Sequence, residues 1–328
     1  MNEEAKKIKR VEIKSLWGKH DLAWDLNPDV NILSGINGSR KSTVLNAISA
    51  GLSVEEIPIN VEAVEIKFNG DNQKASYASE GFITRNFNRV YAFGEFDLLS
   101  TISNYFEPSK NAGLHELDGG YKVGIQKQLR ININLISTFD QEIFEEVKLP
   151  NKEIKTELDW QINNLQNEYL DYQLDIGKRA FKAISNKKSS SQKEVLQIKQ
   201  RQDRFIEIVN DLFKETEKRI DEEENELSFL LEDEILSPYQ LSAGEKQLLV
   251  ILMTVLVQDD EPSILLMDEP EISLHFDWQK KLIGYILELN PNVQIIIATH
   301  SPALIIEGWT DKVFEMKNLI VKETATAQ

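Results

Sequence analysis

A short segment near the amino terminus combines glycine, lysine and hydroxyl residues at a spacing suited to binding phosphate. Residues 35–43 read GINGSRKST, which matches the pattern G-x-x-x-x-G-K-[ST] except that Arg40 stands at the second glycine. In such a loop, backbone N–H groups and the start of the following helix face phosphate oxygens. Lys41 would add a cation, and Ser42 would offer a hydroxyl to Mg²⁺. Taken alone, the segment also fits an ordinary turn between a strand and a helix.

Arg40 is the main departure from this pattern. A residue with a Cβ is hard to fit where glycine normally provides the backbone geometry and close phosphate approach, which predicts impaired binding or turnover. Alternatively, the Arg40 guanidinium bonds phosphate oxygens directly. Comparing the protein with its Arg40→Gly variant would separate these two hypotheses.

Two apolar segments end in residues that could act on a phosphate ester. Residues 263–270 read SILLMDEP, and residues 295–301 read IIIATHS. Asp268 could hold the hydration shell of Mg²⁺, and Glu269 could orient or deprotonate an attacking water. His300 could polarise or sense the terminal phosphate. The plainer alternatives are surface acids after a core strand and a histidine that caps a strand end.

A fourth segment opens a strongly apolar helix. Residues 241–247 read LSAGEKQ, in which Ser242 suits the N-cap position and Glu245 completes a capping box. A well-capped helix is one interpretation, but the same geometry also forms an anion site.

With this fourth segment, the chain resembles the ABC ATPases, whose LSGGQ-like signature lies between the phosphate loop and the acidic strand. The resemblance covers residues 11–43 and 241–302. The variants LSAGEKQ, LLMDEPEISLH and ATHSP are most similar to the soluble RecF/SMC-like branch, which includes ATPases of overcoming-lysogenisation-defect nucleases and of many phage-defence systems.

This resemblance implies ATP and Mg²⁺ as ligands and a head-to-tail homodimer, or higher homo-oligomer, that closes on two ATP molecules. It implies that Ser42 and Asp268 hold Mg²⁺, that Glu269 is the catalytic base and that His300 is the switch histidine. The residues expected at the nucleotide of the same subunit are Asn37, Gly38, Ser39, Arg40, Lys41, Ser42 and Thr43.

The resemblance also implies contacts across the dimer. Ser242 and Gly244 would meet the terminal phosphate held by the other subunit, and residues 271–275 resemble the D-loop that crosses between subunits. The glutamine that usually touches Mg²⁺ is not evident in the sequence, and Glu95 or Asp97 are candidates for that place.

The elements around these motifs follow an order that would bring them together. Alternating apolar residues predict strands within 9–34, and helical spacing follows at 42–50. The remaining predicted elements are strands at 64–68, 89–93, 263–267 and 293–299, and helices from 243 and at 275–289. This alternation predicts an α/β P-loop NTPase of the ABC head type with a mainly parallel sheet, whose carboxyl edge gathers the chemistry.

Residues 153–226 have a different character and predict an antiparallel helical coiled-coil insertion. Apolar residues at steps of four and three mark the first helix, namely Leu158, Ile162, Leu165, Tyr169, Tyr172 and Ile176. A polar turn at 185–191 precedes a second helix expected over 192–226, with Val195, Ile198, Phe205, Ile208, Val209 and Phe213 facing inward. We therefore divide the chain into head residues 1–150, insertion 151–236 and head residues 237–328.

The tip of the insertion is basic although the protein is acidic. The chain carries a net charge of −17, whereas Lys178 to Arg204 contains nine basic and two acidic residues. Such a patch suits nucleic acid or an acidic partner, and a solvated tip is the alternative. Two hypotheses remain: a nucleotide-gated sensor or scaffold for a separate effector, with phage defence as the setting, or a DNA- or RNA-handling ATPase of the RecF/SMC type.

Composition limits the kinds of site and the cellular location that we expect for this chain. The absence of cysteine excludes disulfides, thiolate metal sites and a cysteine nucleophile. The longest apolar run, from Leu248 to Val257, is far shorter than the roughly 20 residues of a membrane helix, and we expect a cytoplasmic protein without a membrane partner. Only 28 residues follow His300, so a Toprim nuclease is not expected in this chain.

Overall fold

The computed structural model describes residues 7–53, 61, 63–68, 74–78, 81–85, 113–117, 120–124, 132–137, 152–186, 189–224 and 226–323. The strands in these ranges are β1 (Ile8–Leu16), β2 (His20–Asp25), β3 (Val30–Ser34), β4 (Ala63–Phe68), β5 (Lys74–Ala78), β6 (Gly81–Arg85), β7 (Gly113–Leu117), β8 (Gly120–Gly124), β9 (Asn132–Ser137), β10 (Lys218–Ile220), β11 (Phe229–Leu231), β12 (Glu234–Leu236), β13 (Ser263–Asp268), β14 (Val293–Thr299), β15 (Val313–Glu315) and β16 (Ile320–Glu323). The α-helices are α1 (Lys41–Ser53), α2 (Glu157–Asn186), α3 (Ser189–Leu212), α4 (Ala243–Val257), α5 (Phe276–Leu289), α6 (Ala303–Ile306) and α7 (Met316–Leu319).

A parallel sheet forms the centre of the head, with strand order β15-β3-β14-β13-β9. Every residue of β13 and β14 is buried, which explains why both strands read as continuous apolar runs rather than as alternating ones. The loop 35–43 and helix α1 follow β3, as predicted. The carboxyl ends of β3, β13 and β14 therefore lie at one edge of the sheet.

Side-chain alternation along the central strands creates two cores. Ile264 and Leu266 of β13 pack in the core that contains α1. Leu265 and Met267 pack in the other core, which contains α2 to α5. Because successive strand residues point to opposite faces, helices α1 and α4 lie on opposite sides of the sheet.

A second sheet covers the α1 side. It is antiparallel, with order β16-β2-β1-β4-β5-β6, so the strands predicted within 9–34 are divided between two sheets. Only β3 joins the parallel sheet, and the expectation of a mainly parallel fold holds for the central layer alone. The tight turn between β1 and β2 places Trp17 and Gly18 at positive φ, 56° and 67°.

Helices α2 and α3 pack on the head as well as on each other. The predicted apolar face of α2, from Leu158 to Tyr172, is buried in the same core as α4, and Ile176 packs against that core. Helix α2 contacts α4, and α3 contacts both α4 and α5. The apolar face predicted for the coiled coil therefore packs largely against the head core.

The second helix is shorter than predicted. The expected span of 192–226 is wrong at its end, because α3 stops at Leu212 and a 3-10 turn, Lys214–Thr216, leads into β10. The Asn210 side chain accepts the Ile220 N–H at 2.8 Å, which fixes the reversal. The Phe213 ring packs against the Phe229 ring, with 5.7 Å between their centroids. This tertiary contact prevails over the helix propensity of the residues after Leu212.

Some predicted features fall outside the described residues. These are the strand at 89–93, the candidates Glu95 and Asp97, and part of the tip turn, residues 187 and 188. Among the helices that are described, none combines the length and apolar character needed to cross a membrane.

Candidate nucleotide site

The loop after β3 has the shape of an anion cradle. Gly38 and Arg40 both adopt positive φ, 76° and 74°. A Cβ on Gly35 would lie 2.6 Å from Oγ of Ser39, so a larger residue there would require the Ser39 side chain to move. The Ser39 hydroxyl is buried and has no hydrogen-bond partner within the described part of the chain. A buried hydroxyl in this position suits a loop that receives phosphate oxygens.

Arg40 adopts the left-handed backbone conformation that glycine normally provides. For a residue with a Cβ this conformation costs about 1–2 kcal/mol. The Arg40 guanidinium lies 5.8 Å from the centre of the Trp17 ring, and the Trp17 indole N–H donates to Oγ1 of Thr43 at 3.2 Å. The β1–β2 turn therefore supports the phosphate loop, and cation–π attraction of about 0.5–1 kcal/mol offsets part of the strain.

Three predicted residues meet at the carboxyl edge of the sheet. The Lys41 side chain is only 4% exposed, and its Nζ lies 4.0 Å from Oε1 of Glu269. Nζ also contacts Nε2 of His300 and donates to the Gly35 carbonyl oxygen at 3.3 Å. The His300 ring nitrogen lies 3.2 Å from the same Glu269 oxygen. The loop cation, the proposed base and the histidine thus form one cluster.

Ser42 and Asp268 form a second pair beside this cluster. The Ser42 hydroxyl is hydrogen-bonded to Asp268, whose side chain is buried. Burial raises the pKa of Asp268 and the charge of Glu269 adds to this, while the Ser42 bond and Lys41 act in the opposite direction. Burial also lowers the pKa of Lys41, against the attraction of Glu269 and Asp268. The site thus holds carboxylates that a further cation would stabilise.

This donor set fits Mg²⁺. A serine hydroxyl and a buried carboxylate are oxygen ligands of the kind that Mg²⁺ takes together with waters and phosphate oxygens. Ser42 and Asp268 would hold the ion, which when bound would neutralise phosphate charge and polarise the phosphoryl group.

Glu271, which the motif interpretation placed only at the start of the 271–275 segment, also binds the loop that follows β14. Its Oε1 accepts the Thr299 hydroxyl at 2.6 Å and the backbone N–H groups of His300 and Ser301 at 2.8 and 3.1 Å. Gln279 accepts the Ser301 hydroxyl at 2.5 Å. These bonds hold the loop that carries His300. The signal in the sequence was a carboxylate three residues after Asp268, directly beyond a buried strand.

The signature turn begins α4 on the other side of the sheet. Ser242 is the N-cap of α4 and forms the predicted capping box with Glu245, which confirms that prediction. A Cβ on Gly244 would lie 2.3 Å from the carbonyl oxygen of Ser273, and Ser273 itself has φ 70°. Gly244 is therefore required by the close approach of the 271–275 turn within the same chain.

Among the described residues, the side-chain bonds of the signature turn lead away from the phosphate loop. Side-chain bonds of Ser242, Glu245 and Lys246 join them to each other or to Thr216, Lys218 and Asp159. None of these bonds, within the described residues, reaches 35–43, and the sheet separates the two segments.

The arginines of the basic segment bind acids of the head. Arg179 donates to Oδ2 of Asp259 at 2.7 Å, and Arg201 pairs with Asp259 and Asp260. Arg204 pairs with Glu288 at 2.6 Å. Lys187 and Lys188 lie outside the described residues. Much of the described positive charge is thus used to attach α2 and α3 to the head.

The order of the motifs and the topology of the sheet define the class of protein. A phosphate loop, a signature turn, an acidic strand and a histidine after the neighbouring strand follow one another along a central parallel sheet. The chain is a P-loop ATPase of the ABC type.

A match to a family model identifies the family to which the chain belongs. The model described as "AAA domain, putative AbiEii toxin, Type IV TA system" matches residues 30–307, and the chain belongs to this family. The matched range contains the phosphate loop, the signature, Asp268 and His300. A similar protein, the "Retron Ec83 probable ATPase" of Escherichia coli, is 23% identical over an aligned length of 376 positions, and the match covers 90% of this chain and 69% of that protein. The predicted resemblance to the RecF/SMC-like ABC ATPases is thereby confirmed.

Solved SMC head domains also resemble the chain. An SMC head bound to the C-winged helix domain of ScpA is 15% identical, with a TM-score of 0.49 and 92% of each chain covered. The SMC head domain from Thermotoga maritima is 16% identical, with a TM-score of 0.44 and 91% of each chain covered.

Proposed function

We propose that this protein binds and hydrolyses ATP at two sites shared by a homodimer, and that the ATP-bound dimer gates a separate effector protein. The observation that carries the proposal is the cluster of Lys41, Glu269 and His300 next to Ser42 and Asp268. In this proposal the division of the chain into head residues 1–150 and 237–328 and insertion 151–236 is kept.

Each residue of the cluster takes one task. Lys41 and the N–H groups of the loop bind phosphate oxygens. Glu269 orients a water and accepts its proton at the carboxylate, and its 27% exposure leaves room for that water. His300, held by the Glu271 bonds to its loop, contacts the terminal phosphate. Arg40 is proposed to preserve the loop shape without assisting turnover.

The placement of the two segments supports the dimer in this proposal. Ser242 and Gly244 begin the helix on the face opposite α1, and a second subunit would bring its signature turn to the phosphate loop of the first. An ATP-dependent homodimer with two equivalent sites satisfies both segments.

The effector role is supported by the relatives and by the charge distribution. The family model carries the description of a toxin and a toxin–antitoxin system, and a similar protein is named as a retron ATPase, which favours a defence setting. All three arginines of the segment from Lys178 to Arg204 are paired with acids, which favours the effector over the nucleic-acid hypothesis.

The proposal is tested with wild-type protein and the variants Lys41→Ala and Glu269→Gln. We expect Lys41→Ala to weaken ATP binding by about tenfold or more, because a charge-assisted bond is lost. Glu269→Gln should bind ATP, hydrolyse it about 100-fold or more slowly and accumulate as a dimer. Calorimetry, phosphate release and sedimentation measure these quantities.

Two outcomes would reject the proposal. Wild-type hydrolysis by Glu269→Gln would remove the assigned base, and an unchanged mass on adding ATP would remove the dimer. ATP hydrolysis stimulated by DNA or RNA, and no partner that co-purifies after nuclease treatment, would favour nucleic-acid handling instead.

A further inference from the structure

Two consecutive residues of the signature are buried charges of opposite sign. The Glu245 side chain is 1% exposed and the Lys246 side chain 11% exposed. Charges in the first turn of a helix usually face water. Because an unpaired buried charge is strongly unfavourable, the partners of these two residues are informative.

Glu245 is bound by a strand that precedes the signature. Both of its carboxylate oxygens lie 2.9 Å from Nζ of Lys218 on β10, and the Thr216 hydroxyl donates to it at 2.8 Å. Burial acts to raise the pKa of Glu245, but the bonds from Lys218, Ser242 and Thr216 outweigh it and lower the pKa. The carboxylate is therefore ionised and accepts hydrogen bonds only.

The same carboxylate fixes the signature serine. Oε2 of Glu245 accepts the Ser242 backbone N–H and the Ser242 hydroxyl, each at 2.8 Å. Since the carboxylate has no proton to give, the hydroxyl must donate, and its rotation is fixed. Lys218 thus acts on Ser242 through Glu245, without contacting the serine itself.

Lys246 is bound by the beginning of α2. Its Nζ lies 2.7 Å from Oδ1 of Asp159, a side chain that is 2% exposed. Oδ2 of Asp159 also accepts the N–H groups of Lys155 and Thr156 at 2.9 and 3.1 Å. One carboxylate therefore caps the long helix and holds the signature helix.

We propose that the pairs Lys218–Glu245 and Asp159–Lys246 hold the signature turn in the conformation that receives the nucleotide of a second subunit. Lys218 and Asp159 are then positioning residues for the shared site, although each lies far from the signature in sequence. The inference rests on the proposed dimer for its functional part. The holding of the turn itself does not depend on that dimer.

The test uses the full-length protein carrying Glu269→Gln, so that bound ATP persists. Into this background Lys218→Met, Lys218→Arg and Asp159→Asn are introduced. Lys281→Met is the matched control, because Lys281 forms an ion pair with Asp211 on the surface, with exposures of 46% and 50%. Amide hydrogen exchange at 245–248, the protein concentration at half-dimerisation with ATP, and ATP affinity at low protein concentration are measured.

Lys218→Met should speed exchange at 245–248 by about tenfold and raise the half-dimerisation concentration by about tenfold or more. ATP affinity of the dissociated subunit should stay within about twofold, since the phosphate loop is on the other face. Asp159→Asn should act in the same direction, Lys218→Arg should restore most of the loss, and Lys281→Met should change nothing. If Lys218→Met does not fold, Lys218→Met with Glu245→Gln, which removes both charges together, replaces it.

The outcomes distinguish the holding of the signature turn from its role at the shared site. Unchanged exchange in Lys218→Met overturns the holding of the turn. Faster exchange with unchanged dimerisation overturns its role at the shared site. If the Glu269→Gln parent does not dimerise with ATP, the proposed function fails, and exchange alone decides whether these pairs hold the turn.

Discussion

Arg40 shows that a loop position normally given to glycine is defined by backbone conformation. Its φ of 74° is close to the 76° of Gly38, so the loop keeps its curvature with an arginine in place. The side chain lies beside Trp17, a contact that only the β1–β2 turn makes available. Arginine is therefore tolerated because strain in the backbone is partly offset by a contact of the side chain.

This explanation predicts an order of stability for two variants. Arg40→Gly and Arg40→Ala lose the Trp17 contact equally, but alanine keeps the unfavourable positive φ. We expect Arg40→Ala to be less stable than Arg40→Gly by about 1 kcal/mol, measured by denaturant unfolding. Equal unfolding free energies would show that the loop relaxes and that Arg40 is not strained.

At this scale the sequence predicted most of the residues that the structure brings together in the candidate site. Lys41, Ser42, Asp268, Glu269 and His300 were predicted because their spacing reflects chemistry that few other patterns share. The bonds of Glu271 and Lys218 were not predicted, since a single carboxylate or lysine has no distinctive spacing. Their importance depends on which buried bonds they make, which only the tertiary structure shows.

Among the elements, α4 joins several parts of the head. Its first turn contacts β10 through Lys218 and the beginning of α2 through Asp159, and Gly244 packs on the turn at Ser273. The sequence predicted the start of α4 from its capping box. It misplaced the end of α3, because the reversal at 213–217 is set by aromatic packing rather than by a local stop signal.

The packing of α4 on the Ser273 turn gives a prediction at the scale of elements. In Gly244→Ala, the new methyl would lie 2.3 Å from the Ser273 carbonyl oxygen, so the two elements must separate. We expect a loss of about 1–3 kcal/mol in unfolding free energy. Gly284→Ala in α5 is the control, because no atom lies within 4 Å of its added methyl, and it should stabilise the helix by about 0.5–1 kcal/mol. A loss of equal size in both variants would contradict the packing argument.

At the scale of the whole molecule, a sheet separates the two segments that we propose to face nucleotide. Helix α1, which follows the phosphate loop, belongs to one core, and the signature helix α4 belongs to the other. The order of these motifs was predicted from the sequence, but the faces of the sheet on which they lie were not. Strand alternation decides the faces, and Ile264, Leu265, Leu266 and Met267 are all apolar, so no pattern distinguished the two sides.

This separation makes a prediction for mixed subunits. A Lys41→Ala subunit lacks the loop cation but keeps its signature, and a Ser242→Arg subunit has a blocked signature but keeps its loop. Each variant alone should be inactive. A 1:1 mixture should regain up to about a quarter of the wild-type ATP hydrolysis, since half of the random dimers carry one intact site of two. Phosphate release measures this recovery, with each variant mixed with wild type as the control for exchange of subunits. If the mixture stays inactive while subunits exchange, either both sites must be intact for turnover or the signature acts within its own subunit, and an ATP-dependent mass measurement on the mixture distinguishes these two explanations.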